Sequence, residues 1–151
     1  MLDRLIASAG TWQGTSTLQD PGRIEPDSTP SSLTVTPMLG GRFVRLDYTW
    51  SYKETAQSGS LLAGHQKKSG MLSVHWIDSW HNSDNVMALT GRAETAALLT
   101  VKGSYAAPPG PDWGWKIAIA PESDGRLRIV MHNISPEGQE YLAVEAEYSR
   151  A

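Results

Sequence analysis

Arg42-Phe43-Val44-Arg45-Leu46-Asp47-Tyr48-Thr49-Trp50-Ser51-Tyr52 alternates large apolar and polar side chains at nearly every step. Successive side chains of an extended chain point to opposite faces. Val44, Leu46, Tyr48 and Trp50 therefore share one face, and Arg45, Asp47, Thr49 and Ser51 share the other. One face suits a core and the other water, which is the pattern of a half-buried strand. The same phasing extends outward along the chain. In 113–119 the inner set is Trp113, Trp115, Ile117 and Ile119, and in 126–133 it is Leu127, Ile129 and Met131, with Arg126, Arg128 and His132 outside. In 142–150 the inner set is Leu142, Val144, Ala146, Tyr148 and Arg150, opposite Glu145 and Glu147. Two phases fit 71–81. One turns Leu72, Val74, Trp76, Asp78 and Trp80 inward, the other Met71, Ser73, His75 and Ile77; the first is adopted.

About ten such strands follow a short N-terminal helix, near 11–19, 31–38, 41–52, 57–67, 71–81, 85–91, 95–105, 113–120, 126–133 and 139–149. Gly, Pro, Asn and Asp clusters punctuate them, including Pro21-Gly22, Gly40-Gly41, Ser123-Asp124-Gly125 and Pro136-Glu137-Gly138. Residues 20–30, rich in Pro, Asp and Ser, read as a flexible loop. Leu2, Leu5, Ile6 and Ala9 lie on one side of the opening helix, and Gly10 stops it. Strands alternate with turns and not with helices, so a βαβ fold is disfavoured. A closed up-and-down antiparallel barrel, which removes its own edges, and a two-sheet sandwich both fit this pattern. Residues 1–151 form one domain, with no repeat or second domain.

Composition narrows the function classes. The chain has 151 residues, a net charge of -3 and no cysteine. A slightly acidic chain offers no general basic surface for nucleic acid. No apolar run has the roughly 20 residues of a membrane-spanning helix. The missing thiols exclude disulfides, cysteine nucleophiles and cysteine-bound metal. Together with the lack of an apolar leader stretch after Met1, they point to the cytoplasm. Six Trp and five Tyr stand against one Phe, more polar-tipped rings than a core requires.

The stretch Gly10-Thr11-Trp12-Gln13-Gly14 resembles the G-x-W start of lipocalins and the G-x-W-x-G start of nitrobindin-like proteins, within the wider calycin group. Gly40-Gly41-Arg42-Phe43-Val44 and Trp76-Ile77-Asp78-Ser79 are similar to segments of an uncharacterised bacterial domain-of-unknown-function family of small calycin-like barrels. The resemblance implies a ten-stranded barrel of calycin type and names no reaction or ligand. It also implies that Trp12 closes the base of the barrel beneath an Arg near the end of the last strand. The phasing sets both Trp12 and Arg150 inward, and a stacked pair follows, a cation–π contact of about 1 kcal/mol or more once desolvated.

Several residues could carry chemistry. His65, on the inward phase after Leu61 and Ala63, is a hydrogen-bonded core or rim histidine, a polar anchor for a ligand, or an axial haem ligand. Nitrobindin-like proteins hold haem through a histidine near the end of the barrel, but Tyr141 to Ser149 contains none, and His132 lies one strand earlier and phases outward. His75 and His81, six residues apart on one strand, stand about 20 Å apart and cannot share a metal ion. Asp78 between Trp76 and Trp80 is either a strand-end carboxylate bonded to a turn or a general acid or base with a raised pKa. Arg45 beside Asp47 reads as an exposed pair of little energetic value. No Gly-x-Ser-x-Gly elbow or phosphate-binding Gly-rich loop occurs.

The first expectation is binding of a small, largely apolar ligand in the barrel interior without transforming it. Tyr48, Trp50, His65, Trp76, Trp80, Trp113 and Trp115 would supply the wall, with Trp113 and Trp115 at the mouth. The alternative is a small enzyme of isomerase or hydrolase type using Asp78 with His65. Haem binding is a further alternative, and otherwise no cofactor or metal is expected. Neither nucleic acid nor membrane is expected as a partner, and homodimer formation through exposed strands is compatible with the layout.

Overall fold

The computed structural model describes residues 2–93 and 98–151. Helix α1 (Asp3–Ala7) precedes ten strands: β1 (Gly10–Leu18), β2 (Asp27–Met38), β3 (Phe43–Tyr52), β4 (Thr55–Gln66), β5 (Met71–Asp78), β6 (Met87–Arg92), β7 (Leu99–Tyr105), β8 (Trp113–Pro121), β9 (Leu127–Ile134) and β10 (Glu140–Arg150). Each strand pairs antiparallel with its neighbours in sequence, and β1 pairs with β10, so the sheet closes into an up-and-down barrel. No helix among the described residues is long and apolar enough to cross a membrane.

The alternation that identifies the strands also builds the core. Val44 and Leu46, Leu61 and Ala63, Leu72 and Val74, Ile117 and Ile119 are fully buried, two from each of four strands. Burying a side chain of Val, Leu or Ile contributes about 1.5–3 kcal/mol relative to leaving it exposed. Strand β5 takes the phase with Leu72, Val74, Trp76 and Asp78 inside, and Met71, His75 and Ile77 lie outside. Arg126, Arg128 and His132 face outward, where Arg126 pairs with Asp124 and Glu147, and Arg128 with Glu145. Arg45 and Asp47 form the expected exposed pair at 2.8 Å.

Three strand limits and one register depart most from the sequence reading, three of the four for identifiable reasons. Strand β2 starts at Asp27, inside the stretch read as a loop. From Asp27 to Ser32 it pairs only with β1, because the register with β3 begins at Leu33 opposite Tyr48. Pro30, which cannot donate to a ladder, is tolerated where one side of the strand is free. Strand β5 stops at Asp78, so Trp80 and His81 belong to the following turn and His81 does not share a strand with His75. In β10 the register shifts between Leu142 and Val144. That bulge turns Leu142 outward, contrary to the simple alternation, while Val144, Ala146 and Tyr148 stay buried. Strand β7 begins at Leu99, and residues 95–97 of the strand expected there lie outside the described residues.

The barrel has two unlike ends. At the base, α1 inserts Leu2 and Leu5, both buried. Trp12 packs beside them and donates from Nε1 to the Ser8 carbonyl at 2.9 Å. The Arg150 guanidinium lies 4.4 Å above the centroid of the Trp12 ring and donates to the carbonyls of Ala9 and Ala7 at 2.6 and 3.2 Å. Arg150 stands opposite Trp12 in the register, on the inward phase that the alternation assigns it, and stays exposed on the rim as a lid over the ring. The glycines around Trp12 follow from this packing. Gly10 has φ +123°, and a Cβ there would stand 2.9 Å from Arg150 Nη1; at Gly14 a Cβ would stand 1.8 Å from the Glu147 carbonyl oxygen.

Candidate functional site

At the opposite end, the mouth, the aromatic side chains converge on Asp78. Tyr48, Gly59 and Asp78 form one row across β3, β4 and β5. Because Gly59 has no side chain, the Tyr48 ring lies over it, where a Cβ would meet the phenol oxygen at 2.2 Å. Tyr48 thereby reaches Asp78 and donates to its Oδ2 at 2.5 Å. Trp50 Nε1 donates to the same oxygen at 3.3 Å, and Trp76 Nε1 donates to the Tyr48 oxygen at 2.9 Å. The other carboxylate oxygen accepts the backbone N–H groups of Trp80 and His81, each at 2.9 Å.

Asp78 is 2% exposed. Two carboxylate oxygens offer about four acceptor sites, and four donors occupy them. Burial pushes the Asp78 carboxyl up, but the nearby His81 side chain, the Tyr48 hydroxyl and the His81 backbone N–H outweigh it and hold the group below its ordinary value. Burial and the Asp78 charge push the Tyr48 phenol well above its ordinary value. Asp78 is thus an ionised hub that fixes two side chains and a turn.

The turn after Asp78 carries the feature that the sequence reading missed. With its N–H tied to Asp78, His81 folds back over the mouth and sits among four indoles. Its ring centroid is 4.8 Å from Trp80, 5.5 Å from Trp50, and 5.6 Å from Trp76 and Trp115. Its Nδ1 stands 3.2 Å from Asp78 Oδ1 but is not aligned as a hydrogen bond. Trp76 and Trp115 stack with centroids 5.2 Å apart and planes 14° apart. Asn82 donates from Nδ2 to the Trp76 carbonyl at 3.0 Å. An Asp followed by a run of turn-forming residues, Ser79 to Asn85, is the sequence signal for such a turn; two Trp at even spacing had extended the strand across it.

His81 divides the space at the mouth. Behind it lies a narrow space of about 20 Å³, room for about one water, lined by Tyr48, Trp50, Met131 and Tyr148 among others. Burial pushes the Tyr148 phenol up to about 12. Tyr148 donates to Ser31 Oγ, whose hydroxyl donates in turn to the Thr49 carbonyl. In front lies an open cleft of about 680 Å³ walled by Trp76, Trp80, Trp115, Met87 and Tyr105, with Asn82 at its edge. On two of its lining residues, Trp115 Nε1 and Asn82 Oδ1 are buried out of solvent contact and find no hydrogen-bond partner among the described residues.

The expected wall therefore separates into parts. Tyr48 and Trp50 face the small cavity, and Trp76 and Trp115 face the cleft. Trp80, 37% exposed, caps the cleft from the turn and packs edge-on against Trp50. Trp113 lies apart from both spaces, half-buried at the start of β8 with its ring 6.5 Å from Tyr141. His65 is at the other end. It pairs with Leu72 and lines a surface groove with Leu2 and Asp3. Gly59 is Asp78's partner on β4, so His65 stands six residues, about 20 Å, from the Asp78 row. The Asp78–His65 pair is not assembled, and neither His65 nor His132 faces the interior cavity as a haem ligand would. Among the described residues no group of three or more His, Asp or Glu side chains could hold a metal ion.

A closed ten-stranded antiparallel barrel with an aromatic mouth defines a class of architecture. The chain belongs to a family described as "Protein of unknown function (DUF1579)", whose model matches residues 2–150. No curated protein matches it. Among solved structures it is similar to that of Rv2717c from M. tuberculosis, with a TM-score of 0.63 and 12% identity over 99% of this chain and 98% of that one, a likeness that shows the fold alone. A putative thioesterase II from Thermobifida fusca YX aligns over 97% of this chain and 81% of that one at 9% identity, but its TM-score of 0.24 carries no argument.

Proposed function

We propose that this protein binds a small, largely apolar molecule at the mouth of its barrel without transforming it. The observation that carries this reading is the cleft of about 680 Å³ walled by the indoles of Trp76, Trp80 and Trp115. Its size lies in the range of small-molecule sites, which are mostly apolar with a few placed polar groups. The interior offers only about 20 Å³ with His81 in place, which moves the site outward from the centre of the barrel. Saturation of Asp78 by four donors supports binding over catalysis, because it has no free lone pair with which to take a proton.

Titration of a panel of aromatic and aliphatic compounds, followed by tryptophan fluorescence, tests the reading. Quenching at micromolar concentration that is lost in Trp80→Ala is the expected result. A panel in which no compound binds at micromolar concentration overturns it.

A further inference from the structure

We propose that the surface groove at the base binds a small aromatic anion, a flat ring carrying a carboxylate or a phosphate, independently of the mouth. The groove measures about 780 Å³, with Gly40, Gly41, Arg42, Phe43, His65 and Lys67 on its walls. That size lies in the range of small-molecule sites. Arg42, Phe43 and Lys67 are exposed, so closure of the barrel interior beneath Trp12 leaves this outer groove accessible. Local geometry brings its parts together. The turn between β2 and β3 passes through Gly40 at φ +68° and Gly41 at φ +83°, a left-handed path that glycine takes without strain. It delivers Arg42 and Phe43 to the rim. Phe43 stands opposite Gly64 on β4, and its ring lies over that glycine, where a Cβ would meet the ring at 3.0 Å. The ring is thereby seated beside the groove with 37% of Phe43 exposed. His65, half-buried, is the next residue on β4, and Lys67 opens the turn to β5.

Charge selects the class of ligand. The chain carries a net charge of -3, yet the groove sets Arg42 and Lys67 against the single carboxylate of Asp3. Arg23, Arg45, Arg126 and Arg128 all pair with carboxylates elsewhere on the surface, whereas Arg42 and Lys67 form no ion pair among the described residues. A guanidinium offers a carboxylate or phosphate two parallel hydrogen bonds, and an ammonium adds a compact point charge. The His65 imidazole supplies one further donor. Phe43 supplies a ring against which a flat apolar body packs. A bare inorganic anion would leave Phe43 unused, and a neutral ring would leave both cations unused.

Amide NMR titration of the full chain tests the assignment, because it reports which end of the barrel a probe touches. The probes are 2-naphthoate and 2-naphthyl phosphate, the neutral 2-naphthylmethanol, and the ringless acetate and inorganic phosphate. Both naphthyl anions should shift the amides of Gly41, Phe43 and Gly64. They should bind there about tenfold more tightly than the neutral or ringless probes. Tighter binding of one of the two supports the proposal and names the head group. Arg42→Ala and Lys67→Ala should each weaken the naphthyl anions about fivefold. Lys53→Ala, which removes the same charge from the turn between β3 and β4 at the opposite end, should leave them unchanged. Shifts confined to the mouth overturn the inference, as does 2-naphthylmethanol matching 2-naphthoate at the base. An unchanged affinity in both Arg42→Ala and Lys67→Ala overturns it too. None of these outcomes bears on the apolar site at the mouth, which stands or falls by its own titration.

Discussion

The base and the mouth of the barrel are each organised by tryptophan beside a charged group. At the base both polar ends of that pair are spent inside the protein. Trp12 Nε1 bonds to Ser8, and Arg150 lies over the indole while donating to two carbonyls next to α1. At the mouth the charge is Asp78, held by Tyr48, Trp50 and the turn, but the outer ring of the cluster leaves Trp115 Nε1, Asn82 Oδ1 and His81 Nδ1 without hydrogen bonds. One end is closed in energetic as well as geometric terms, and the other retains buried donors and acceptors without a partner, on residues beside open space. Full pairing is what stability alone selects. The contrast supports the proposed binding at the mouth, set against structural closure at the base.

The largest effect expected from breaking the contrast is at the base. Trp12→Ala removes a ring that is 4% exposed and should cost about 3–5 kcal/mol in urea unfolding. Trp80→Ala at the mouth should cost about 1 kcal/mol or less, because Trp80 is already partly in solvent. Equal losses would show that the mouth is as much a packing unit as the base.

Next is Asp78→Ala, which strands Tyr48, Trp50 and two backbone N–H groups and should cost about 3 kcal/mol. The acid sensitivity of Asp78 has a definite sign. Its folded pKa is lowered, so the unfolded chain takes up the proton first as pH falls. Stability from this group is therefore fully present above the unfolded value near 4 and is lost as pH falls through the lower folded value. Asp78→Asn should remove that part of the acid limb of the stability curve while Trp12→Ala retains it. An acid limb unchanged in Asp78→Asn would show that Asp78 is not the ionised hub.

A third variant, His81→Ala, removes the partition between the small cavity and the cleft. A loss of about 1–2 kcal/mol is expected, together with tighter binding of apolar probes longer than the cleft. If those probes gain nothing, His81 is a wall and not the divider between two joinable spaces.

How far the sequence reaches differs between the two ends for the same reason. Strand phase is local: alternation from Val44 to Trp50 and from Leu72 to Asp78 is written in consecutive residues, and it carried the strands and the inward Tyr48, Trp50 and Trp76, while closure into a barrel and not a sandwich followed from the resemblance. Trp12 and Arg150 are placed by one strand start and one strand end, so the base was legible through its motif. The mouth depends on where β5 stops. That is decided by Asp78 accepting the N–H groups of Trp80 and His81, a tertiary choice that alternation across Trp76, Asp78 and Trp80 disguises. Hence the alternation reads His81 as a strand residue, and Asn82 carries only a turn signal. The bulge that turns Leu142 out, and the near-filled interior, depend on how ten strands close, which no single segment encodes. His65 phases inward as read, but phase says nothing about which end of the barrel a residue occupies.

The smallest expected effect is the most discriminating, because the same substitution is made at both ends. Trp→Phe removes the indole N–H and part of the ring area at either site, so the packing loss is similar for two residues that are 4% and 6% exposed. At Trp12 the change also breaks the bond to the Ser8 carbonyl and weakens the stack under Arg150. At Trp115 it breaks no hydrogen bond among the described residues and removes a buried donor already lacking one. Trp12→Phe should therefore be more destabilising than Trp115→Phe by about 1 kcal/mol in urea unfolding without ligand. Equal costs in the absence of ligand would mean that Trp115 Nε1 is paired in the folded protein, and the two ends would then be built alike.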